Sequence, residues 1–198
     1  MTSNTKQALI VVDVQNDFCP GGTLAVPHGD EVVAPLNKLI DEFLDRGDPV
    51  YKSRDWHPRT TKHFAAYGGT WPVHCVQNTR GAQFHPALRD DPRIKVISKG
   101  QGDADGYSAF DDTDLGSQLR KAGIQELVVG GLATDYCVKN TVLDAVDRGF
   151  KVKAVKDAMR PVELQPGDGE RAIEEMRAAG AEIVSTDDTD SAEQSRSA

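Results

Sequence analysis

The sequence has 198 residues, a length that suits one domain, because a chain of this size can bury roughly 70% of its unfolded surface in a single core. Hydrophobic residues make up 38% and charged residues 27% of the chain, on the polar side of normal for a folded soluble protein. Thirty-one acidic and twenty-three basic residues give a net charge of −8, whose field repels phosphate backbones and anionic lipids, so neither nucleic acid nor a membrane is an expected partner.

Short runs rich in β-branched residues recur along the chain and predict buried strands. In chain order these are ALIVVDV from Ala8, a weaker PVYKSRD from Pro49, RIKVISK from Arg93, ELVVGGL from Glu126, KVKAVKD from Lys151 and AEIVST from Ala181. Between most of them, apolar residues at helical spacing predict amphipathic helices within 30–46, 115–123 and 138–149, and a last one around 172–176.

Strand and helix therefore alternate, an order that requires crossover connections between parallel neighbours. We predict a single α/β domain over residues 6–186, with a mostly parallel, doubly wound, Rossmann-like sheet and helices on both faces. Residues 1–5 and 187–198 are expected to be flexible termini, since the tail from Asp187 is low in complexity.

Targeting signals and disulfides are not expected. The opening MTSNTKQ lacks the apolar segment of a secretory signal, and no later run reaches the roughly eighteen apolar residues of a membrane helix, so we expect a cytoplasmic protein. Cys19, Cys75 and Cys137 are odd in number and widely spaced, which favours reduced thiols.

Three reactive side chains fall where predicted strands end, at the edge of the sheet where such folds bind ligands. Asp13 ends the first apolar run, Lys99 ends VIS, and Cys137 follows ELVVGGLA. Each alone is more often structural than catalytic. Together they form a workable triad, because a carboxylate can accept the thiol proton and an ammonium can keep that carboxylate ionised and aimed.

The setting of Cys137 points to a nucleophile. If Thr134 or Asp135 serves as N-cap, the cysteine lies in the first helical turn, where free N–H groups and the helix dipole favour an anion. We therefore expect its pKa to fall well below the free value of about 8.5. The same N–H groups could hold an oxyanion.

The stretch RDWHPRTTKHFAAYGGTWPVHC contains three of the five histidines of the chain. Asp55 and His57 are two residues apart, so an extended backbone would direct both side chains to one face, and His63 and His74 could join them by a loop. Carboxylate and imidazole ligands suit Zn²⁺, Fe²⁺ or Mn²⁺. The alternative is that these histidines are polar members of an aromatic loop cluster.

Five motifs, taken together and in order, make the chain from Ala8 to about Thr186 resemble the nicotinamidases, which also deamidate pyrazinamide, within the isochorismatase-like cysteine hydrolases. The motifs are IVVDVQNDFCPGGTLAV from Ile10, RDWHP from Arg54, WPVHCVQNTRGAQFHP from Trp71, SKGQGDADGYSAF from Ser98 and GGLATDYCV from Gly130.

The resemblance implies hydrolysis of nicotinamide to nicotinate and ammonia through a cysteine thioester, and a role in NAD salvage. Asp13 would be the base, Lys99 its electrostatic partner and Cys137 the nucleophile. A divalent metal, zinc first among zinc, iron and manganese, would orient the pyridine ring. Its ligands would be Asp55, His57 and His74, with His63 as the fourth ligand found in some members.

The resemblance also implies how the substrate is held. Phe18, Trp71 and Tyr107 would wall the ring pocket. The peptide between Leu132 and Ala133 would be cis, and the N–H groups of Ala133 and Cys137 would form the oxyanion hole.

Other functions stay open at this stage. A related hydrolase could act on a different small amide or on isochorismate. A nucleotide- or flavin-binding module is a second alternative, although no G-x-G-x-x-G follows the first strand, and a catalytically dead scaffold is a third. The sequence leaves open whether the chain forms a homo-oligomer.

Overall fold

The computed structural model describes residues 5–102 and 106–189, which build one sheet of six parallel strands in the order β3-β2-β1-β4-β5-β6. The strands are β1 (Gln7–Val12), β2 (Val50–Asp55), β3 (Lys95–Lys99), β4 (Glu126–Leu132), β5 (Lys151–Arg160) and β6 (Glu182–Val184). The helices are α1 (Val33–Arg46), α2 (Leu115–Ala122), α3 (Lys139–Asp147) and α4 (Asp168–Ala179). The predicted doubly wound α/β architecture is confirmed.

Alternation along β1 explains why helices cover both faces of the sheet. Leu9 and Val11 belong to the apolar cluster that includes the buried face of α1, whereas Ala8, Ile10 and Val12 belong to the cluster that contains side chains of α2, α3 and α4. Successive strand residues point to opposite faces, and a strand buried on both sides reads as a continuous apolar run.

The strand order reverses direction between β1 and β4, at the centre of the sheet. From β1 the chain winds outward through β2 and β3, and then returns to the centre as β4 before it continues to β5 and β6. Such a reversal leaves a crevice beyond the carboxyl ends of the two central strands, where ligands bind in open α/β sheets. At this end Gly131 has a φ of 132°, and a Cβ there would lie 2.1 Å from the Val12 carbonyl oxygen, so β4 can approach β1 only with glycine.

All six predicted strands are present, although some are shorter than their apolar runs. Strand β3 begins at Lys95 because the N–H of Ile94 bonds to the Asp91 carbonyl in the preceding turn. Strand β6 has three residues. It begins at Glu182 because the N–H of Ala181 still bonds to the Met176 carbonyl at the end of α4. The weak PVYKSRD forms β2, which lies between β1 and β3.

The predicted flexible ends lie mostly outside the described residues. Of the predicted tail, residues 187–189 are described: Asp187 pairs with Lys38, and the buried Thr189 accepts a hydrogen bond from Lys153 through its carbonyl. None of the described helices combines the length and apolar character that crossing a membrane requires.

Candidate active site

The carboxyl ends of neighbouring strands bring the predicted triad together. Asp13 is the first residue after β1, and its N–H still donates to the Ser53 carbonyl of β2 at 3.2 Å. Lys99 is the last residue of β3, and Cys137 lies in the turn that follows β4. Carboxyl ends of parallel strands meet at one edge of a sheet, so residues 124 positions apart in sequence (137 − 13) share one site.

Lys99 lies at the centre of this site. Its Nζ is 2.9 Å from Asp13 Oδ2, forms an ion pair with Asp55 Oδ1 and donates to Cys137 Sγ at 3.6 Å. The side chains of Lys99 and Asp13 are completely buried, and Ser53 Oγ donates to the other carboxylate oxygen of Asp13 at 2.7 Å. One ammonium therefore contacts two carboxylates and the candidate nucleophile.

The ionisation states of Asp13, Asp55 and Lys99 depend on the contacts between them. Burial raises the pKa of Asp13, and attraction to Lys99 only partly opposes that rise. Burial would raise the pKa of Asp55, but attraction to Lys99 overcomes this effect and holds the pKa well below the ordinary value. Burial would lower the pKa of Lys99, but attraction to the two carboxylates keeps it well above the ordinary value. Lys99 is therefore an ammonium at neutral pH.

The expected low pKa of Cys137 is wrong. Burial raises its pKa well above that of a free thiol, and Asp13 and Asp55 raise it further, which outweighs the lowering by Lys99. Ligand atoms of Cys137 and the two carboxylates lie within 4.8 Å of one another. Cys137 is therefore a neutral thiol at neutral pH.

The N-cap of the turn that carries Cys137 also differs from the expectation. Ala133 is the N-cap of a π-helical turn over Thr134–Val138, and neither Thr134 nor Asp135 caps it through a side chain. Asp135 instead accepts hydrogen bonds from the N–H groups of Val162 and Glu163, at 2.8 and 3.0 Å. Cys137 does lie in the first turn, and the peptide between Leu132 and Ala133 is cis, as the resemblance implied.

Three buried imidazoles lie beside the triad. Ligand nitrogens of His57, His63 and His74 are within 4.8 Å of one another, and the rings of His57 and His63 are stacked with centroids 4.5 Å apart. Asp55 faces two of them, since its Oδ2 is 3.5 Å from His57 Nε2 and 3.8 Å from His74 Nε2. The four predicted ligand residues therefore converge.

The orientation of two of these rings fits a metal ion. His57 Nδ1 lies 3.1 Å from the Gly100 carbonyl and His74 Nδ1 lies 2.7 Å from the Pro72 carbonyl. A carbonyl only accepts, so each Nδ1 carries the proton and each Nε2 presents a lone pair, as in metal-binding histidines. Buried His57 Nε2 has no hydrogen-bond partner among the described residues, and a nitrogen in that position suits metal binding.

An aromatic pocket opens beside Cys137, which is one of its lining residues. Its walls are Phe18, Leu24, Val26, Asp55, His63, Trp71, His74, Tyr107, Ala133, Tyr136, Cys137 and Val162. Trp71 Nε1 donates to the Tyr107 hydroxyl at 2.9 Å, and the Tyr136 ring lies at 5.0 Å edge-to-face against Trp71. The three residues predicted to wall a ring pocket, Phe18, Trp71 and Tyr107, all line it.

The sequence did not reveal several residues that complete the site. The wall of the pocket also contains the apolar residues Leu24, Val26 and Val162, and the hydroxyl of Ser53 donates a hydrogen bond to Asp13. Gln15 and Asp17 lie on the turn after β1 and bond to the segments that carry Asp55 and His74. The available signal was their position, since both polar residues follow the first predicted strand within four residues of Asp13.

Comparison with known proteins places these features in a family. A family model described as the isochorismatase domain matches residues 7–188. The nicotinamidase of Escherichia coli (strain K12) is 46% identical, covering 92% of this chain and 96% of that protein.

Two solved structures share the fold. A pyrazinamidase of Pyrococcus horikoshii in complex with zinc has a TM-score of 0.87 at 44% identity and covers 91% of this chain and 99% of its own. A protein from L. infantum in complex with nicotinate has a TM-score of 0.85 at 34% identity and covers 92% and 94%. The chain belongs to the isochorismatase domain family.

Proposed function

We propose that this protein is an amidohydrolase that converts nicotinamide to nicotinate and ammonia, as part of NAD salvage. The observation that carries the proposal is the buried contact of Cys137 Sγ with Lys99 Nζ, beside Asp13, at the base of an aromatic pocket. A relative named nicotinamidase and a related structure that holds nicotinate support the choice of substrate.

The first step transfers the Cys137 proton to Asp13. Both groups have raised pKa values, so the transfer exchanges one buried anion for another and leaves the net charge of the site unchanged. Lys99 Nζ contacts the anion before and after the transfer, since it lies 2.9 Å from Asp13 Oδ2 and 3.6 Å from Cys137 Sγ. In this arrangement the thiolate of Cys137 forms only during the reaction, when Asp13 accepts the proton.

The thiolate then attacks the carboxamide carbon, and the electron pair of the C=O bond moves to oxygen. The N–H groups of Ala133 and Cys137 are the proposed donors to this oxyanion, and one such donor is worth about 3 kcal/mol in comparable hydrolases. Asp13 returns its proton to the amide nitrogen as the C–N bond breaks and ammonia leaves. A nicotinoyl thioester remains on Cys137.

Water completes the cycle. Asp13 accepts one proton from water while the water oxygen attacks the thioester carbon, and the C–S bond breaks to release nicotinic acid, which gives its proton to solvent and becomes nicotinate. The proton on Asp13 returns to the sulfur, so the thiol and the carboxylate are restored.

Asp55, His57 and His74 would hold a divalent ion, with His63 as a further ligand, and zinc is the proposed metal with iron or manganese as alternatives. When bound, the ion offers Lewis acidity toward the ring nitrogen of a pyridine. The protein side chains position the ring: Phe18, Trp71 and Tyr107 present apolar faces that suit a flat heteroaromatic.

The test is ammonia release from nicotinamide by wild type, Cys137→Ala and the matched buried-thiol variant Cys19→Ala. We expect Cys137→Ala to lose on the order of 10⁴-fold or more in kcat, because the members of a catalytic triad act as a unit, and Cys19→Ala to stay near wild type. Mass spectrometry after acid quench should find the nicotinoyl group on the peptide that contains Cys137.

Equal ammonia release by wild type and Cys137→Ala would refute the assignment of the nucleophile. Parallel assays with pyrazinamide, an aliphatic amide and isochorismate decide between the proposed substrate and the alternatives left open by the sequence. Faster turnover of any of these than of nicotinamide would overturn the proposed preference.

A further inference from the structure

Two polar side chains of the turn after β1 face the segments that carry the proposed metal ligands. The first, Gln15, is fully buried and forms a two-point contact with the backbone of Asp55: its Nε2 donates to the Asp55 carbonyl and its Oε1 accepts from the Asp55 N–H, both at 2.8 Å. Its Nε2 also donates to the Ala82 carbonyl at 2.9 Å. The side chain amide therefore replaces a strand neighbour at the point where β2 ends.

The second side chain, Asp17, makes the equivalent contact with the other ligand segment. Its buried Oδ2 accepts from the N–H of Cys75, the residue after His74, at 2.7 Å, and its Oδ1 accepts from the N–H of Thr23 at 3.3 Å. The carboxylate fits tightly, because a Cβ on Gly81 would lie 2.0 Å from Asp17 Oδ2.

The two ligand segments are also joined to each other. The N–H of His57 donates to the Cys75 carbonyl at 3.0 Å, and the N–H of Gln77 donates to the His57 carbonyl at 2.9 Å. Gln15 and Asp17 are two residues apart, and each bonds to one of the joined segments. One short turn thus restrains the backbone on both sides of the candidate metal site.

We infer that Gln15 and Asp17 are positioning residues that set the affinity of the metal site, Gln15 through Asp55 and Asp17 through the backbone beside His74. The inference rests on the metal site of the proposed function. Neither side chain is a proposed ligand, so each acts by fixing a ligand before the ion arrives. Outer partners of metal ligands typically change metal affinity or activity by about 10- to 100-fold when they are lost.

The test is direct zinc binding by full-length protein that has been stripped with a chelator and then titrated with Zn²⁺ against a chromophoric competitor. We expect Gln15→Ala and Asp17→Ala each to weaken binding about 10- to 100-fold. Asp17→Asn keeps an oxygen for the Cys75 N–H, so its affinity should lie closer to wild type than that of Asp17→Ala. The matched control is Asn16→Ala, since Asn16 lies between the two and its side chain bonds at the surface to the Arg80 carbonyl.

Gly81→Ala tests the same relationship without removing a polar group, because the added methyl displaces the Asp17 carboxylate, and it should also weaken zinc binding. The free energy of unfolding of each metal-free variant is measured beside the affinity. If Gln15→Ala does not fold, Gln15→Glu replaces it, since a glutamate cannot donate to the Asp55 and Ala82 carbonyls.

The outcomes separate the two proposals. Failure of wild type to bind zinc, or unchanged zinc binding after His57→Ala, would refute the proposed metal site. Wild-type binding together with unchanged affinity in folded Gln15 and Asp17 variants would overturn this inference and leave the proposed function standing. Loss of stability without loss of zinc affinity would also overturn it, because that result describes a structural role only.

Discussion

Asp55 and Lys99 are register partners at the last positions of β2 and β3, and their buried side chains form an ion pair. Parallel neighbours in register point to the same face of the sheet, so the pairing of two backbones places the two charges together. Asp55 also faces His57 and His74, while Lys99 also contacts Asp13 and Cys137. One ion pair therefore connects the proposed metal ligands with the proposed triad.

Removal of the shared cation should affect both stability and catalysis. In Lys99→Met, Asp13 and Asp55 lose the charge that compensates their burial, and loss of one partner of a buried ion pair costs about 3 to 5 kcal/mol. Denaturant unfolding of the metal-free protein measures this loss, and ammonia release from nicotinamide should fall with it. The control is Lys95→Met on the exposed start of the same strand, which should leave both quantities near wild type. Unchanged unfolding of Lys99→Met would contradict the role of the ion pair.

The hydrogen bond from Trp71 Nε1 to the Tyr107 hydroxyl should matter for substrate binding more than for chemistry. Tyr107→Phe removes the acceptor of a buried donor, at a cost of about 1 kcal/mol in the free energy of unfolding. Without this bond the Trp71 indole is held less firmly in the pocket wall. KM for nicotinamide should therefore rise several-fold, with a smaller change in kcat. Tyr67→Phe is the control, because Tyr67 is exposed. A drop in kcat at constant KM would count against this prediction.

Asp135 should hold Val162 in the pocket wall, although Asp135 itself does not line the pocket. Its carboxylate holds the N–H groups of Val162 and Glu163, and Val162 lines the pocket. Asp135→Ala should lower the free energy of unfolding by about 2 kcal/mol, since hydrogen bonds to charged groups are strong, and should raise KM for nicotinamide. Asp168→Ala is the matched control, because that carboxylate holds the Gln165 N–H of the same loop at its exposed end. Equal KM values for the two variants would contradict the prediction.

The reactivity of Cys19 should depend steeply on pH. Burial, with a contribution from Asp30, raises the pKa of Cys19 to about 11 from 9.0. A raised pKa means less thiolate at neutral pH, so alkylation of Cys19 by iodoacetamide should rise about tenfold per pH unit between pH 7 and 9. Peptide mapping by mass spectrometry follows the rate of alkylation. In the urea-unfolded chain Cys19 has an ordinary thiol pKa, so its alkylation rate should begin to level off near pH 9. If the alkylation rate of the folded protein also levelled off near pH 9, the pKa of Cys19 would not be raised.

Local sequence patterns were sufficient to predict the elements of the fold. Runs rich in β-branched residues predicted five of the six strands of the described residues, and the weaker PVYKSRD predicted the sixth. Helical spacing predicted the four α-helices, because an element that is buried on one or two faces shows a pattern within about ten residues. The lengths of β3 and β6 were harder to predict. Hydrogen bonds to Asp91 and Met176 decide where these strands begin, and no apolar pattern encodes such bonds.

Residue types and their positions at strand ends also predicted which groups would meet. Asp13, Lys99 and Cys137 do converge, because the carboxyl ends of parallel strands share an edge. The charge state of Cys137 was predicted in the wrong direction. Burial is the largest cause of the raised pKa, and Asp13 and Asp55 add to it; all three depend on packing, which local sequence does not show.

The sequence by itself determined the alternation of strands and helices, the chemistry available at the strand ends and the family, because each is written in short stretches of neighbouring residues. Only the tertiary structure decided the strand order, the shared ion pair of Asp55 and Lys99, and the contacts of Gln15 and Asp17 with segments 40 and 58 residues away. The physical reason is that hydrogen bonds, ion pairs and burial depend on distance in space, and a local pattern carries no information about a partner that distant in the chain.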